Sequence, residues 1–478
     1  MYNLSQELIN ILAQEDINYC HWKSNLLLNE ALGGYDDLDL LIDRKDTAKF
    51  EASIFSMGFK EGSNSHISFS AIKHYYGLDK ESGNMLHLHV YTQIKTGPSW
   101  TKSMRFDFEE YFLDNSILHE SGMKIPPKHI EFVLFIIRVM MKYSKINEYI
   151  LVEKENERTP REIQYLLDGL NKEKLNNFLN KYFPEITEKE LFDYVDLINK
   201  GSFFNRYIVA NKLKYKLRRY KNIGTFNESY QNIKQFIYRV LNKLFFKQKK
   251  KLHSSGTLIV VAGLDATGKT TITTELKKWL GKNLTISLVH FGKPPSTLIT
   301  YPINLAIKLM RKKSSNTILR SSLKNEESAK SMLYVIRQVT LAYDRYSLIK
   351  KQWRKTSNGE IVLCDRYKSE DFGVMDSKRL NPKLYNGLKK KLAEYENHLY
   401  NTIPQPDILF YLTVPVDVAV QRNEARIKEG KESEEFLRIR HEENKNLIYN
   451  AKNYFKIETN QDYKDVISDI KSKIWRIL

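Results

Sequence analysis

The chain has 478 residues and only two cysteines, Cys20 and Cys364, which are too few for a disulfide framework. No segment approaches the ~20 consecutive apolar residues of a membrane-spanning helix. The first residues lack the basic and then apolar pattern of a signal peptide, so we expect a cytoplasmic protein. The formal net charge of +19 favours anionic partners such as nucleotides, although a general bias towards lysine accounts for it equally well.

The pattern of predicted elements changes along the chain and divides it into parts. Residues 1–125 mix short apolar runs with turn signals, which indicates an α+β domain. Residues 126–246 carry apolar positions at helical spacing and little glycine or proline, which predicts a helical domain. A basic linker is predicted at 247–256. In residues 257–478 apolar strands alternate with helices, which is typical of a doubly wound parallel α/β sheet.

The strongest motif is a glycine-rich loop between a predicted strand and a predicted helix. It reads Gly263-Leu264-Asp265-Ala266-Thr267-Gly268-Lys269-Thr270-Thr271. Backbone N–H groups of such a loop point at phosphate oxygens, and Gly268 lets the chain curl closely around them. Lys269 is predicted to reach the β- and γ-phosphates of ATP, and the Thr270 hydroxyl to ligate Mg²⁺. The motif therefore predicts an ATP-binding P-loop domain.

A second candidate site follows the apolar run at residues 361–364. Asp365 and Arg366 come directly after this run, and ligands of doubly wound sheets bind at the carboxyl ends of the strands. Asp365 is therefore expected beside the phosphates, where it can hold Mg²⁺ or its water ligands. Arg366 can grip an anionic acceptor group in bidentate fashion. A helix cap at Asp365 that pairs with Arg366 is the alternative, but the preceding P-loop favours the functional interpretation.

In order and approximate spacing, these motifs resemble thymidylate kinase over most of the C-terminal half. The P-loop carries an acid, Asp265, in the same third place as in that family. The other matching segments are residues 341–346, which contain Arg345, the Asp-Arg-Tyr signature at 365–367, the core strand at 406–412, and the start of the lid at 417–422 with Arg426. The resemblance implies a P-loop kinase fold.

The resemblance also implies roles for individual side chains. Asp265 would contact the acceptor, while Arg345 and Arg366 would bind its phosphate. Two lid arginines, spaced to share one helix face, would close over the transferring phosphoryl group, with a solvated helix face as the alternative. The implied cofactors are ATP and Mg²⁺, and the implied catalytic residues are Lys269, Asp365, Arg422 and Arg426.

Departures from the family's pattern bear on the acceptor. Where thymidylate kinases usually carry an Arg-Glu-Pro-Gly-type stretch, this chain has His290-Phe291-Gly292-Lys293-Pro294-Pro295. A basic insertion that includes residues 311–313 follows, and the lid is irregular. Kinases of this shape, fused to an upstream domain, resemble members of bacterial surface-polysaccharide clusters. The expected acceptor is therefore a nucleotide, a sugar or a sugar phosphate.

In the N-terminal part, Ser24 follows Lys23 directly and precedes Asp37 by 13 positions. This segment resembles the nucleotidyltransferase superfamily, whose Gly-Ser turn lies at a similar distance before its Asp-x-Asp strand, although here a lysine replaces the glycine. Asp37 and Asp39 would share one strand face and bind Mg²⁺ on a nucleoside triphosphate. The next predicted strand, residues 86–91, offers His87 instead of a third carboxylate, so His87 is either a ligand or a sign of lost catalysis. A solvated turn and strand edge is the structural alternative.

Residues 230–251 predict a basic amphipathic helix. Apolar positions recur on one face with basic side chains elsewhere, which fits either an acidic membrane or, more commonly, a neighbouring domain. The basic run at 212–221 matches no nucleic-acid module, so we predict no specific nucleic-acid partner. A peripheral membrane contact and a homodimer stay open.

The combined prediction is an ATP-dependent phosphotransferase of the nucleoside monophosphate kinase type. Its partner would be a nucleotide or a phosphorylated small-molecule acceptor. One alternative is a nucleotidyltransferase that uses Asp37 and Asp39 and has a regulatory P-loop domain. The other is a non-catalytic scaffold gated by nucleotide.

Overall fold

The chain forms two compact units, Met1–Gln248 and Lys249–Leu478. The boundary lies inside the predicted basic linker, and the first unit contains both the predicted α+β domain and the predicted helical domain. The computed structural model describes residues 1–153, 157–313, 331–425, 433–444 and 447–478. Within those ranges, no helix combines the length and the apolar character needed to cross a membrane.

The first unit contains a mixed sheet. Its strands are β1 (Tyr19–His21), β2 (Leu38–Ile42), β3 (Lys60–Ser63), β4 (Ile72–Leu78) and β5 (Met85–Tyr91). They are ordered β1-β2-β5-β4-β3, with β2 and β5 parallel and the other neighbours antiparallel. The strand predicted at residues 86–91 is confirmed as β5, and it lies directly beside β2, which carries Asp39. Their register places Asp39 opposite His89, so acidic and histidine side chains meet there.

Short elements surround this sheet. The helices are α1 (Asn3–Gln14), α2 (Leu28–Leu32), α3 (Thr47–Ser56) and α4 (Glu109–Asp114). The antiparallel ribbons are β6 (Ile94–Thr96) with β7 (Met104–Phe106), and β8 (Ile117–Leu118) with β9 (Lys124–Ile125).

A group of helices follows, as the sequence predicts. The helices are α5 (Lys128–Tyr143), α6 (Ile146–Glu153), α7 (Arg158–Leu167), α8 (Lys172–Tyr182), α9 (Glu188–Lys200), α10 (Phe203–Lys216) and α11 (Thr225–Leu241). α5 is buried on nearly all sides because it packs against α6 to α10. Its apolar side chains share one core with Cys20 and Trp22 from the first strand region, which joins helices and sheet in a single unit.

The second unit is a parallel α/β sheet. Its strands are β10 (Lys251–Leu252), β11 (Leu258–Gly263), β12 (Ile286–His290), β13 (Ile361–Asp365), β14 (Ile408–Thr413) and β15 (Asn453–Glu458). Its helices are α12 (Lys269–Gly281), α13 (Thr300–Lys313), α14 (Met332–Thr356), α15 (Gly387–Thr402), α16 (Val416–Glu424), α17 (Glu434–Glu443) and α18 (Tyr463–Ile477).

Five of these strands form the sheet in the order β12-β13-β11-β14-β15, and every neighbouring pair is parallel. The three central strands, β13, β11 and β14, are runs of apolar residues because helices cover both faces of such a sheet. Parallel strands end at one common edge, so the loops after β11 and β13 lie side by side. That edge is where ligands bind in this class of fold.

Candidate active site

The loop after β11 has the conformation that its two glycines permit. Gly263 has a φ of +146°, and a Cβ there would lie 2.6 Å from the carbonyl oxygen of Leu412. Ala266 and Gly268 also have positive φ angles, and α12 begins directly afterwards at Lys269. The loop therefore curls tightly into the N-terminus of α12, where free N–H groups and the helix dipole favour phosphate oxygens.

Lys269 lies over this loop. Its side chain is almost fully buried, and its Nζ donates to the carbonyl oxygen of Leu264 at 2.5 Å. The hydroxyl of Thr267 donates to the same oxygen at 2.9 Å. Thr270 and Thr271, in the first turn of α12, are exposed. An ammonium group that bonds to its own loop is available to a phosphate, which is a stronger partner than a neutral carbonyl.

Asp365 ends β13, the strand adjacent to β11, and is paired in register with Val261. Its carboxylate is largely buried, and no described residue donates a hydrogen bond to its Oδ1. The other oxygen lies 3.8 Å from Nε2 of His290. A buried carboxylate oxygen without a donor is completed by a cation or by a water that the cation binds. Asp365 and the hydroxyl of the exposed Thr270 therefore suit Mg²⁺, whose remaining ligands would come from phosphates and water.

Asp265, in the P-loop, is held by two arginines. Its Oδ1 lies 3.0 Å from Nη2 of Arg366, and its Oδ2 lies 2.9 Å from Nη1 of Arg440. Burial raises the pKa of Asp265, but Arg440, Arg366 and Lys269 together outweigh burial and hold that pKa below its ordinary value. His441 also bonds to the backbone oxygen of Asp265 at 3.0 Å. Helix α17 is thus fastened to the P-loop through consecutive side chains.

Arg366 is shared with a second carboxylate, Asp376. Asp376 accepts from Nη2 of Arg345 at 2.6 Å, and its other oxygen lies 3.7 Å from Nη1 of Arg366. Arg345 is 5% exposed and also donates to the Tyr400 hydroxyl at 2.6 Å and to the Phe291 carbonyl at 3.3 Å. Alternating charges therefore form one continuous chain across the strand edge, made of Arg345, Asp376, Arg366, Asp265 and Arg440.

The residues proposed for the lid do not all fall in this cluster. Arg422, on α16, donates through Nη2 to the backbone oxygen of Thr459 at 2.6 Å and through Nη1 to its hydroxyl at 3.1 Å. Thr459 in turn donates to the backbone oxygen of Thr267 at 3.0 Å. Arg422 is therefore linked to the P-loop through Thr459. Arg426 lies outside the described residues.

Sequence reasoning missed several members of the cluster. Asp376 lies in the loop after β13, where no spacing marks it, and its φ is +60°. Arg440 and His441 follow the lid segment, and their only sequence signal is that basic residues continue into α17. Tyr400 belongs to the buried face of α15, where an aromatic residue is ordinarily only part of the core.

The N-terminal candidate residues are also brought together. Asp39 is buried, and its Oδ1 lies 2.6 Å from Lys23 Nζ and 2.9 Å from His89 Nδ1. Burial raises the pKa of Asp39, but Lys23 and His89 outweigh burial and hold that pKa well below its ordinary value. The more exposed Asp37 pairs with His87 Nδ1 at 2.5 Å.

The histidines of this cluster are stacked and linked. His87 Nε2 lies 3.0 Å from His74 Nδ1, and the ring of His74 stacks on that of His89 at 4.4 Å. Burial lowers the pKa of His89 to about 4, so its imidazole is neutral at neutral pH while it faces Asp39. Within the described ranges, no group of three or more His, Cys, Asp or Glu side chains is arranged to hold a metal ion. Asp39 is thus paired with a lysine and a histidine, and Asp37 with a histidine. The Mg²⁺ role that the sequence suggested for these two carboxylates stays a prediction.

The P-loop on the central strand, the acid on the adjacent strand and the arginine cluster define the C-terminal unit as a P-loop kinase. Residues 261–470 match the thymidylate kinase family. A thymidylate kinase of Thermosipho melanesiensis is 25% identical over 217 residues, which are 45% of this chain and 94% of that protein. A thymidylate kinase of Prochlorococcus marinus is 29% identical over 233 residues, which are 47% of this chain and 98% of that protein.

A solved thymidylate kinase structure from Candida albicans has 16% identity and a TM-score of 0.26, with 47% of this chain and 91% of that chain covered. At that score it adds nothing to the assignment. The sequence matches establish that the C-terminal half is a thymidylate kinase-like domain and that the protein is an ATP-dependent kinase, for which ATP and Mg²⁺ are the cofactors.

Proposed function

We propose that the C-terminal domain transfers the γ-phosphoryl group of ATP to a small acceptor that carries a phosphate, such as a nucleotide or a sugar phosphate. The observation that carries this proposal is the pair of arginines fixed by Asp376 beside the P-loop acid. Guanidinium groups held by carboxylates keep a fixed orientation, and fixed donors lower the cost of binding a phosphate. Phosphoryl transfer depends mainly on such positioning and on charge stabilisation.

In this proposal each part of the site has a separate task. The N–H groups of the loop and Lys269 bind the phosphates of ATP. When ATP binds, the Lys269 ammonium gives up its hydrogen bond to the Leu264 carbonyl and donates to a phosphate oxygen instead. Asp365 and Thr270 would hold Mg²⁺, which neutralises charge on the phosphates when it is bound. Arg366 orients the acceptor phosphate, and the more deeply buried Arg345, which shares Asp376 with Arg366, provides the second guanidinium group for it. Asp265 would contact the acceptor, and its ionised carboxylate favours a hydroxyl or amide donor there.

The segment after β12 supports an acceptor other than thymidine monophosphate. The Phe291 ring lies 4.8 Å from the Arg345 guanidinium, and the Phe291 carbonyl accepts from the same arginine. A Cβ at Gly292 would lie 3.0 Å from Arg366 Cδ. The segment thus packs under both arginines without offering the arginine and glutamate that the family usually supplies. Sugar phosphates of surface-polysaccharide metabolism are therefore the acceptors to test beside nucleotides, with unphosphorylated sugars as the comparison.

The test is transfer of label from γ-labelled ATP to a panel of nucleoside monophosphates, sugars and sugar phosphates. Lys269→Ala is the inactive variant, and Lys278→Ala, an exposed lysine on the same helix, is the matched control. We expect a labelled product that Lys269→Ala loses by at least about a hundredfold and that the control retains. ATP binding without a labelled product from any acceptor would contradict the proposal and favour the nucleotide-gated scaffold.

A second candidate activity belongs to the N-terminal unit. The sheet with Asp37, Asp39 and the following helices supports a nucleotidyltransferase-like domain. Incubation with α-labelled ATP tests it, because only nucleotidyl transfer would leave that label on an acceptor or on protein. Loss of such label in Asp39→Asn, with transfer from γ-labelled ATP unchanged, would support a separate N-terminal activity.

A further inference from the structure

Helix α11 carries an apolar stripe that the fold leaves exposed. The stripe consists of Phe226, Tyr230, Ile233, Ile237, Leu241 and Leu244, which are spaced by three or four residues and are each 40–84% exposed. It runs the length of α11 and continues into the following π-helical turn, Asn242–Phe246. With 17 residues, α11 is about 26 Å long at ~1.5 Å per residue.

The opposite face of α11 packs against the rest of the first unit. The contacts of that face are largely polar or aromatic. Gln235 donates to the backbone oxygen of His66 at 2.5 Å, and Tyr238 stacks on the His66 ring at 4.4 Å. Near the start of the helix, the buried Glu228 is paired with lysines, among them Lys221 at 3.2 Å. A surface helix normally buries its apolar face and exposes its polar face. Here the arrangement is reversed, so the stripe requires another environment.

The charged residues around the stripe indicate which environment would cover it. From Ser229 to Lys247 the chain has four basic residues, Lys234, Arg239, Lys243 and Lys247, and no Asp or Glu. Arg239 lies over the Trp100 ring at 5.1 Å, whereas the three lysines are exposed. An apolar stripe flanked by lysines matches a bilayer with anionic headgroups, where aliphatic side chains enter the acyl boundary and ammonium groups meet phosphates. Exposed aromatic residues at the end of the helix, Phe245 and Phe246, add to the apolar area.

We propose that α11 lies flat on the surface of a membrane that contains anionic lipid, with the apolar stripe inserted and its lysines at the headgroups. Such binding attaches the chain to the membrane surface through a helix that lies in the plane of the interface. The attraction combines buried apolar area with electrostatics, so it weakens with salt and requires anionic lipid.

The test is co-sedimentation of the full chain with phosphatidylcholine vesicles, prepared with and without phosphatidylglycerol. One double variant, Ile233→Gln with Ile237→Gln, removes apolar area, and another, Lys234→Glu with Lys243→Glu, reverses charge. Leu118→Gln with Lys189→Glu is the control, because it changes an exposed leucine and an exposed lysine elsewhere on the same unit. All six substituted residues are exposed, so the melting temperature should not change.

We expect the wild type and the control to sediment with the phosphatidylglycerol vesicles at low salt, and both α11 variants to bind about tenfold or more weakly. Equal sedimentation with phosphatidylcholine alone, or no sedimentation, would overturn the proposal. Light scattering of the vesicle-free protein provides a further check. A dimer that only the glutamine variant dissociates, with no vesicle binding by the wild type, would assign the stripe to a second copy of the chain instead.

Discussion

Asp376 joins Arg345 to Arg366: one carboxylate oxygen lies 2.6 Å from Arg345 Nη2, and the other lies 3.7 Å from Arg366 Nη1. The three side chains are mostly buried, and Asp376 has a positive φ that a non-glycine residue rarely adopts. Backbone strain of this kind persists where the surroundings fix the residue, and it is common at functional sites. The relationship suggests that Asp376 orients both arginines for an acceptor phosphate.

Replacing Asp376 with asparagine should impair acceptor binding. The amide keeps the size of the side chain but removes the charge that holds two guanidinium groups, so we expect KM for the acceptor to rise roughly tenfold. KM for ATP should stay close to that of the wild type. Steady-state kinetics with each substrate varied in turn measures both. Asp469→Asn, which neutralises an exposed acid on α18, is the control; an unchanged acceptor KM in Asp376→Asn would contradict the assigned role.

Asp365→Asn should weaken the dependence of ATP binding on Mg²⁺. Since the uncharged amide is a poorer partner for the cation or its waters, the Mg²⁺ concentration for half-maximal rate should rise about tenfold or more. Titration calorimetry of ATP at several Mg²⁺ concentrations gives an independent readout. His290→Gln is the comparison, because His290 lies 3.8 Å from the same carboxylate and should have little effect. Equal effects of the two substitutions would argue against a metal role for Asp365.

Arg422→Ala should act on ATP rather than on the acceptor. Arg422 bonds to Thr459, and Thr459 bonds to the P-loop at Thr267, so the loss should loosen the loop and raise KM for ATP several-fold, on the order of 1 kcal/mol. A lid arginine that acts on the transferring phosphoryl group would instead lower kcat. Gln421→Ala, the exposed neighbour on α16, controls for changes to the helix itself. A fall in kcat with constant KM would favour the lid role predicted from the sequence.

Glu396 predicts a pH dependence of stability in the C-terminal unit. Burial raises its pKa to about 7, although it accepts backbone N–H groups from Leu380 at 2.9 Å and from Arg379 at 3.1 Å. An unfolded glutamate titrates near pH 4.5, so between about pH 4.5 and 7 the folded state binds more protons than the unfolded state. Stability therefore falls as pH rises through that window.

Glu396→Gln should remove this decline. Relative to the wild type, the variant should gain stability with rising pH, by about 3 kcal/mol above pH 7. Urea unfolding at a series of pH values measures the difference. Glu394→Gln, an exposed glutamate on the same helix, should give a profile parallel to the wild type. Parallel profiles for Glu396→Gln as well would show that Glu396 is ionised in the fold.

The sequence was sufficient for features whose chemistry is local. The P-loop needs a strand, two glycines, a lysine and a helix N-terminus within a few consecutive residues, so residues 258–271 predict their own conformation. Asp365 is similar, because an apolar strand that ends in an acid places that acid at the ligand-binding edge of a parallel sheet. The alternation of strands and helices predicted the sheet itself, since parallel strands require crossover helices.

Only the tertiary structure decided which charges are partners. Asp265 meets Arg440, and Arg345 meets Asp376, because helices and loops far apart in sequence converge on one strand edge. In the N-terminal unit, the register of β2 and β5 sets His89 opposite Asp39, and Lys23 forms an ion pair with the same carboxylate. The sequence spacing of Asp37 and Asp39 had instead suggested a metal site. The helical repeat of α11 revealed a stripe, but packing decided that its polar face is bound and its apolar face exposed. Periodicity fixes the faces of an element, whereas long-range packing decides what each face meets.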